Sequence, residues 1–152
     1  MRLRIEIAPD CDEELVIRAP ALTEELQRLE RVISDNLSQG GELSLQNGEV
    51  ECFVPISELL FFESGNGKVQ AHTADAMYDC RFKLFELEQL LPARFARASK
   101  SCLADTTKVS SITRSLTGAS EVCFKGCNKR IFVSRMYYPS FREKISETRS
   151  IR

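Results

Sequence analysis

Apolar and polar residues change rhythm along this chain. Over residues 3–8 the order Leu-Arg-Ile-Glu-Ile-Ala alternates, the two-residue period of a strand with one buried face. Residues 15–18 give a second, shorter extended piece. Leu22, Leu26, Leu29, Ile33 and Leu37 then recur at spacings of four, three, four and four, which predicts a helix over residues 20–38. Pro20 suits its first turn and Gly40 its stop.

After Gly40-Gly41 the period returns to two. Segments 42–46 and 49–54 flank Asn47-Gly48, a pair that tolerates the positive φ of a tight hairpin. Segments 60–64 and 68–73 flank Gly65-Asn66-Gly67, a second hairpin signal. A strand over 77–82 follows, and Leu84, Phe85, Leu87, Leu90 and Leu91 mark a short helix ended by Pro92. Short strands are predicted at 95–98, 102–104, 109–113, 122–124 and 131–133, and a last helix over 134–147 with Ser134 as its cap. Roughly nine closely spaced strands with two or three helices indicate a mostly β protein, an antiparallel sandwich or stacked sheets.

Composition narrows the class. The chain has 152 residues, room for one ordinary domain with a small extension. Its longest wholly apolar run, Leu59-Leu60-Phe61-Phe62, falls far short of the ~18 residues a membrane span needs. The first residues reach Glu6 without an apolar export core, so a cytoplasmic protein is expected. Cys11, Cys52, Cys80, Cys102, Cys123 and Cys127 form no C-x-x-C pair, and His72 is the single histidine. The cysteines therefore read mostly as small core hydrophobes, with no metal or other cofactor expected.

Charge is unevenly placed. Residues 1–64 carry 5 basic and 14 acidic side chains, whereas residues 65–152 carry 16 basic and 8 acidic. Such asymmetry suits a second part that faces a polyanion, or two halves attracting one another in one globule; charge alone leaves both open. Catalytic constellations do not emerge. His72 has no neighbouring orienting acid, Gly65-Asn66-Gly67 lacks the rest of a phosphate-loop fingerprint, and Glu86 and Glu88 do not share a helix face. No enzyme is expected.

Four blocks in order are more specific. They are Ile56-Ser57-Glu58-Leu59-Leu60-Phe61-Phe62-Glu63-Ser64, then Leu84-Phe85-Glu86-Leu87-Glu88-Gln89-Leu90-Leu91. The third is Phe95-Ala96-Arg97-Ala98-Ser99-Lys100-Ser101-Cys102-Leu103-Ala104-Asp105, and the fourth Val133-Ser134-Arg135-Met136-Tyr137-Tyr138. Together they resemble the LytTR DNA-binding domains of bacterial transcription regulators. The resemblance divides the chain into an N-terminal extension at 1–45, a LytTR-like domain at 46–148 and a tail at 149–152.

It implies an elongated body of about ten strands in stacked antiparallel sheets, whose loops enter successive major grooves of double-stranded DNA. By motif, the contacts fall on Asn66, Gly67 and Lys68, on Ser99 and Lys100, and on Arg135, with Arg97 beside them. Asn66 suits an adenine edge and Lys68 a phosphate or guanine, though Asn-Gly also makes a turn unaided. A cation at a helix start opposes the helix dipole, so Arg135 is better explained by an anionic ligand than by helix stability. Arg97 alternates along a strand, where pairing with an acid competes with DNA contact.

Three positions depart from the family pattern: Ser99 stands for its histidine, Lys100 for its arginine and Asp105 for its asparagine. Lysine lacks the bidentate fork, which weakens any transfer of base preference. Asp105 would repel phosphate, so it is read as a structural turn residue. The roughly 45 residues upstream are too few for a phosphoreceiver, which indicates a stand-alone member. The resemblance further implies a homodimer on repeated sites and a small membrane protein as restraining partner. Two rival readings are a protein-interaction module using the Leu22–Leu37 helix, and a thiol- or metal-linked sensor using Cys123 and Cys127.

Overall fold

Ten strands in two antiparallel sheets and three α-helices make up the computed structural model, which describes residues 2, 4–10, 14–37 and 41–149. The elements are α1 (Glu24–Leu37), β1 (Glu42–Asn47), β2 (Val50–Pro55), β3 (Phe61–Gly65), β4 (Lys68–His72), β5 (Met77–Cys80), α2 (Leu84–Leu90), β6 (Phe95–Ser99), β7 (Cys102–Asp105), β8 (Val109–Thr113), β9 (Ser120–Phe124), β10 (Arg130–Val133) and α3 (Tyr138–Arg149). Seven strands form one sheet in the order β2-β1-β5-β4-β3-β7-β6, and three form the other in the order β10-β9-β8. The expected mostly β, stacked antiparallel architecture is the one observed.

The two cores lie on opposite faces of the large sheet. Leu43, Leu45, Val69, Phe62 and Leu103 pack one face against Leu84, Leu87 and Leu91 of the α2 region. Phe61, Ala98, Cys102 and Ala104 pack the other against Val122, Phe124, Ile131 and Val133 of the small sheet and Phe141 and Ile145 of α3. Consecutive residues of a strand point to opposite faces, so β3 and β7 serve both cores. That is why Leu59-Leu60-Phe61-Phe62 is an unbroken apolar run, and why Cys102, Leu103, Ala104 and Asp105 are all buried.

Asp105 ends β7 with its carboxylate taken up inside the protein. Arg94 Nε donates to it at 3.0 Å, and Thr107 donates through its amide at 3.0 Å and its hydroxyl at 2.6 Å. This is the structural turn role expected of it.

Several boundaries differ from the pattern reading. Residues 4–8 and 14–18 are not in strands, and Leu3 lies outside the described residues. An alternating segment becomes a strand only when a neighbour supplies the ladder. α1 begins at Glu24, not Pro20, because the Thr23 hydroxyl accepts the amide of Leu26 at 3.2 Å, an N-cap followed by acidic Glu24 and Glu25. Ser38 and Gly40 lie outside the described residues. α3 begins at Tyr138 rather than Ser134. Ser134 opens a turn ahead of it, its hydroxyl accepting the Tyr137 amide at 3.4 Å and its carbonyl the Tyr137 and Tyr138 amides at 3.1 and 2.9 Å. Pro139 enters the first helical turn, where its missing N–H costs nothing.

Candidate nucleic-acid interface

Three turns meet at one end of the large sheet. The first is the β3–β4 tip, where Asn66 and Gly67 hold φ values of 52° and 74°, both left-handed, as a tight hairpin requires. The Gly65↔Lys68 pair closes this tip, so Lys68 stands at its base; Asn66, Gly67 and Lys68 are all exposed. The second is the β6–β7 turn through Ser99, Lys100 and Ser101, in which the Ser101 amide donates to the Ser99 hydroxyl at 3.2 Å. Lys100 is exposed at its apex and Ser99 half-buried.

Two backbone hydrogen bonds fix how these turns sit. The Ser64 amide donates to the Ser101 carbonyl at 2.9 Å, joining the first tip to the second turn. The Ser134 amide donates to the Ala98 carbonyl at 2.9 Å, which hangs the exposed Arg135 turn beside the end of β6. Asn66, Lys100 and Arg135 therefore share one end of the molecule, although 69 positions separate the first from the last.

Arg97 stands apart from the others. Its Nη1 donates to the Lys100 carbonyl at 2.7 Å and its Nε pairs with Glu88, leaving the side chain 21% exposed. It braces the backbone of the β6–β7 turn and carries an acid with it. The competing reading of Arg97, an ion pair, is thus the arrangement observed. Cys102, next to this turn, has its thiol pushed up to about 12 by burial first and by Glu63 second, so it stays neutral there.

Topology brings two further cations to the same end. Val69 pairs with Cys80, so Arg81 emerges alongside the β3–β4 tip. Thr113 pairs with Glu121 and Ser120 with Val133, so Arg114 emerges where β10 runs into Ser134. Its guanidinium lies 5.1 Å from the ring of Tyr138. Neither residue belongs to a motif block; only strand register shows where they fall. Both are exposed. On the far side of the sheet the β1–β2 hairpin, with exposed Glu49 and Glu51, bounds this basic stretch.

The opposite end is built differently. Lys129, in the β9–β10 turn, donates to the Ala76 carbonyl at 2.7 Å and lies 3.3 Å from His72 Nδ1. An ammonium has no lone pair to offer, so Nδ1 is the acceptor and the proton is on Nε2. Burial first, then the Lys129 charge, lowers His72 to about 4, and the neutral ring stacks on Phe61 at 4.3 Å. Glu63, 3.6 Å from Nε2, is beyond hydrogen-bond reach of it. His72 thus pins the small sheet to the large one. Cys123 lies on the outer face of the small sheet with Glu121, 3.7 Å from its carboxylate, whereas Cys127 packs against the second core. Among the described residues no cluster of three metal-ligating side chains occurs.

Known proteins resemble this chain over most of its length. Residues 50–146 match the family model of the LytTr DNA-binding domain. The solved LytTr DNA-binding domain of a Bacillus cereus protein superposes with a TM-score of 0.64 at 21% identity, covering 69% of this chain and 96% of that one. An uncharacterized HTH-type transcriptional regulator of Staphylococcus aureus strain MSSA476 is 24% identical over 147 residues, 96% of this chain and 99% of its own length. Its counterpart in strain MRSA252 is 23% identical over the same span.

The chain belongs to the LytTR DNA-binding family. It is a DNA-binding protein of the transcription-regulator class. Strands separate every pair of consecutive α-helices, so no helix-turn-helix occurs among the described residues.

Proposed function

We propose that this protein regulates transcription by reading duplex DNA sequence-specifically with the turn-bearing end of its large sheet. The observation that carries this is the convergence of exposed Asn66, Lys68, Lys100 and Arg135, held by the Ser64–Ser101 and Ser134–Ala98 backbone bonds. Asn66 offers an amide to base edges, and Lys68, Lys100 and Arg135 offer donors to guanine or phosphate in a major groove. Gly67 lets backbone approach closely, and Ser99 adds a short hydroxyl. Arg97 acts as a positioning residue for Lys100. Arg81 and Arg114 flank the reading turns and suit phosphates, which fix register without reading sequence.

On this reading the protein works in the cytoplasm, without an enzymatic step, and binds repeated sites as a homodimer. A small membrane protein is the class of restraining partner that the family resemblance supplies. Selection of bound sequences from a random duplex pool tests the proposal: a common motif is expected, with gel shifts on that motif surpassing random DNA by about a thousandfold or more. Recovery of no motif, with only salt-sensitive uniform binding, refutes it.

A further inference from the structure

The most exposed large apolar side chains of the N-terminal arm have no place in the DNA reading. Ile5 and Ile7 are 79% and 91% exposed, and Leu15, Val16 and Leu22 are exposed behind them. The arm lies outside the matched family segment of residues 50–146. It leads into α1, whose Arg31 donates to both Glu147 carboxylate oxygens at 3.3 Å. Nearby, Arg149 of α3 donates to the Thr106 and Val109 carbonyls, at the end of β7 away from the reading turns. The arm is therefore attached to the end of the molecule opposite to the DNA-reading end.

We infer that the arm is a dimerisation strand, pairing antiparallel with the same segment of a second copy about a two-fold axis at Ile5. This rests on the reading above that the protein is a homodimer, and names the surface that makes it one. The sequence fits itself in this register. With Ile5 opposite Ile5, Arg4 of each copy falls opposite Glu6 of the other, so two ion pairs flank the axis. The side-chain period of two sends Ile5 and Ile7 to one face and Arg4 and Glu6 to the other. Within one copy Arg4 and Glu6 already meet in an ion pair, which shows that they can share a face.

Residues 4–7 lie in no strand among the described residues, and a neighbour supplied by symmetry gives this segment the ladder that its pattern calls for. Two copies joined at this end keep both reading ends free for two sites on one duplex.

Charge reversal in the full chain tests this, read by analytical ultracentrifugation. Arg4→Glu or Glu6→Arg alone sets two like-charge pairs against each other and is expected to weaken self-association about tenfold. An equimolar mixture of the two variants restores opposite charges across the axis, as does the double variant R4E/E6R; both are expected to associate like the unaltered protein. The arm lies outside both cores, so the melting temperature measured at a dilution where the protein is monomeric should not move. A dimer that either single variant leaves intact, or a mixture that fails to recover, overturns the inference while leaving dimerisation standing. An unaltered protein that stays monomeric at high concentration overturns both.

Discussion

Replacing Lys100 and Arg135 together by Ala is the sharpest probe of the reading end. Both side chains are exposed, and neither belongs to the hydrophobic cores. Removing them should leave folding unchanged; the bond from Arg97 goes to the Lys100 backbone carbonyl, which alanine retains. Five cations face the ligand on this account: Lys68, Arg81, Lys100, Arg114 and Arg135. If each neutralises one phosphate, log affinity falls with log salt at a slope near −4.5, about −0.9 per contact. If Lys100 and Arg135 instead reach base edges, each is worth about 1–3 kcal/mol of discrimination. Their joint loss then costs about 2–6 kcal/mol at fixed salt, at least roughly thirtyfold.

The two modes separate in one assay, a fluorescence-anisotropy titration at several salt concentrations on the selected site and on a scrambled duplex. Phosphate contacts weaken both duplexes alike and flatten the slope by about 1.8. Base contacts weaken the selected site alone. A double variant with unchanged melting temperature that binds the selected site within about threefold of the parent would refute the placement of the interface.

Other consequences follow from the frame around the site. Asp105→Ala leaves the buried Arg94 guanidinium without its carboxylate and should cost about 3–5 kcal/mol in a urea titration, since breaking one side of a buried pair exposes the full desolvation penalty. Arg97→Met releases the Lys100 carbonyl and Glu88; it should change stability by no more than about 1 kcal/mol while lowering DNA affinity, whereas equal losses in both would mean a merely structural brace. His72 titrates at about 4 in the folded state against 6.5 for the free side chain, so the unfolded chain binds the proton first as pH falls. Its contribution is complete above about pH 6.5 and is lost on descending toward pH 4, about 2–3 kcal/mol by pH 4.5. A His72→Gln variant should lack that part of the pH dependence; identical slopes for the two proteins would contradict it.

How much of this was legible beforehand depends on the range of the interaction concerned. Asn47-Gly48 and Asn66-Gly67 announce hairpins because positive φ is a property of the residues themselves. The second tip forms as expected, whereas Asn47 pairs with Val50 and the first turn falls one residue on, at Gly48-Glu49. Ser134 takes the Tyr137 amide on its hydroxyl at 3.4 Å as a cap would, yet what it opens is a turn and the helix starts only at Tyr138. That its own amide is tied to Ala98, thirty-six positions away, no local pattern reveals. The 3–8 alternation misleads for a related reason. It states a strand's side-chain period but not where the ladder partner is.

The sequence by itself therefore determined most of the turns, the strand periods, the basic second part and, through four short blocks, the family. Only the tertiary structure decided that Asn66, Lys100 and Arg135 share one end, that Arg81 and Arg114 join them, and that Arg97 is committed to Glu88. Turn chemistry resides in one or two residues' own dihedral preferences. Strand order and cross-sheet hydrogen bonds are instead settled among segments distant in the chain, by which faces can be buried together.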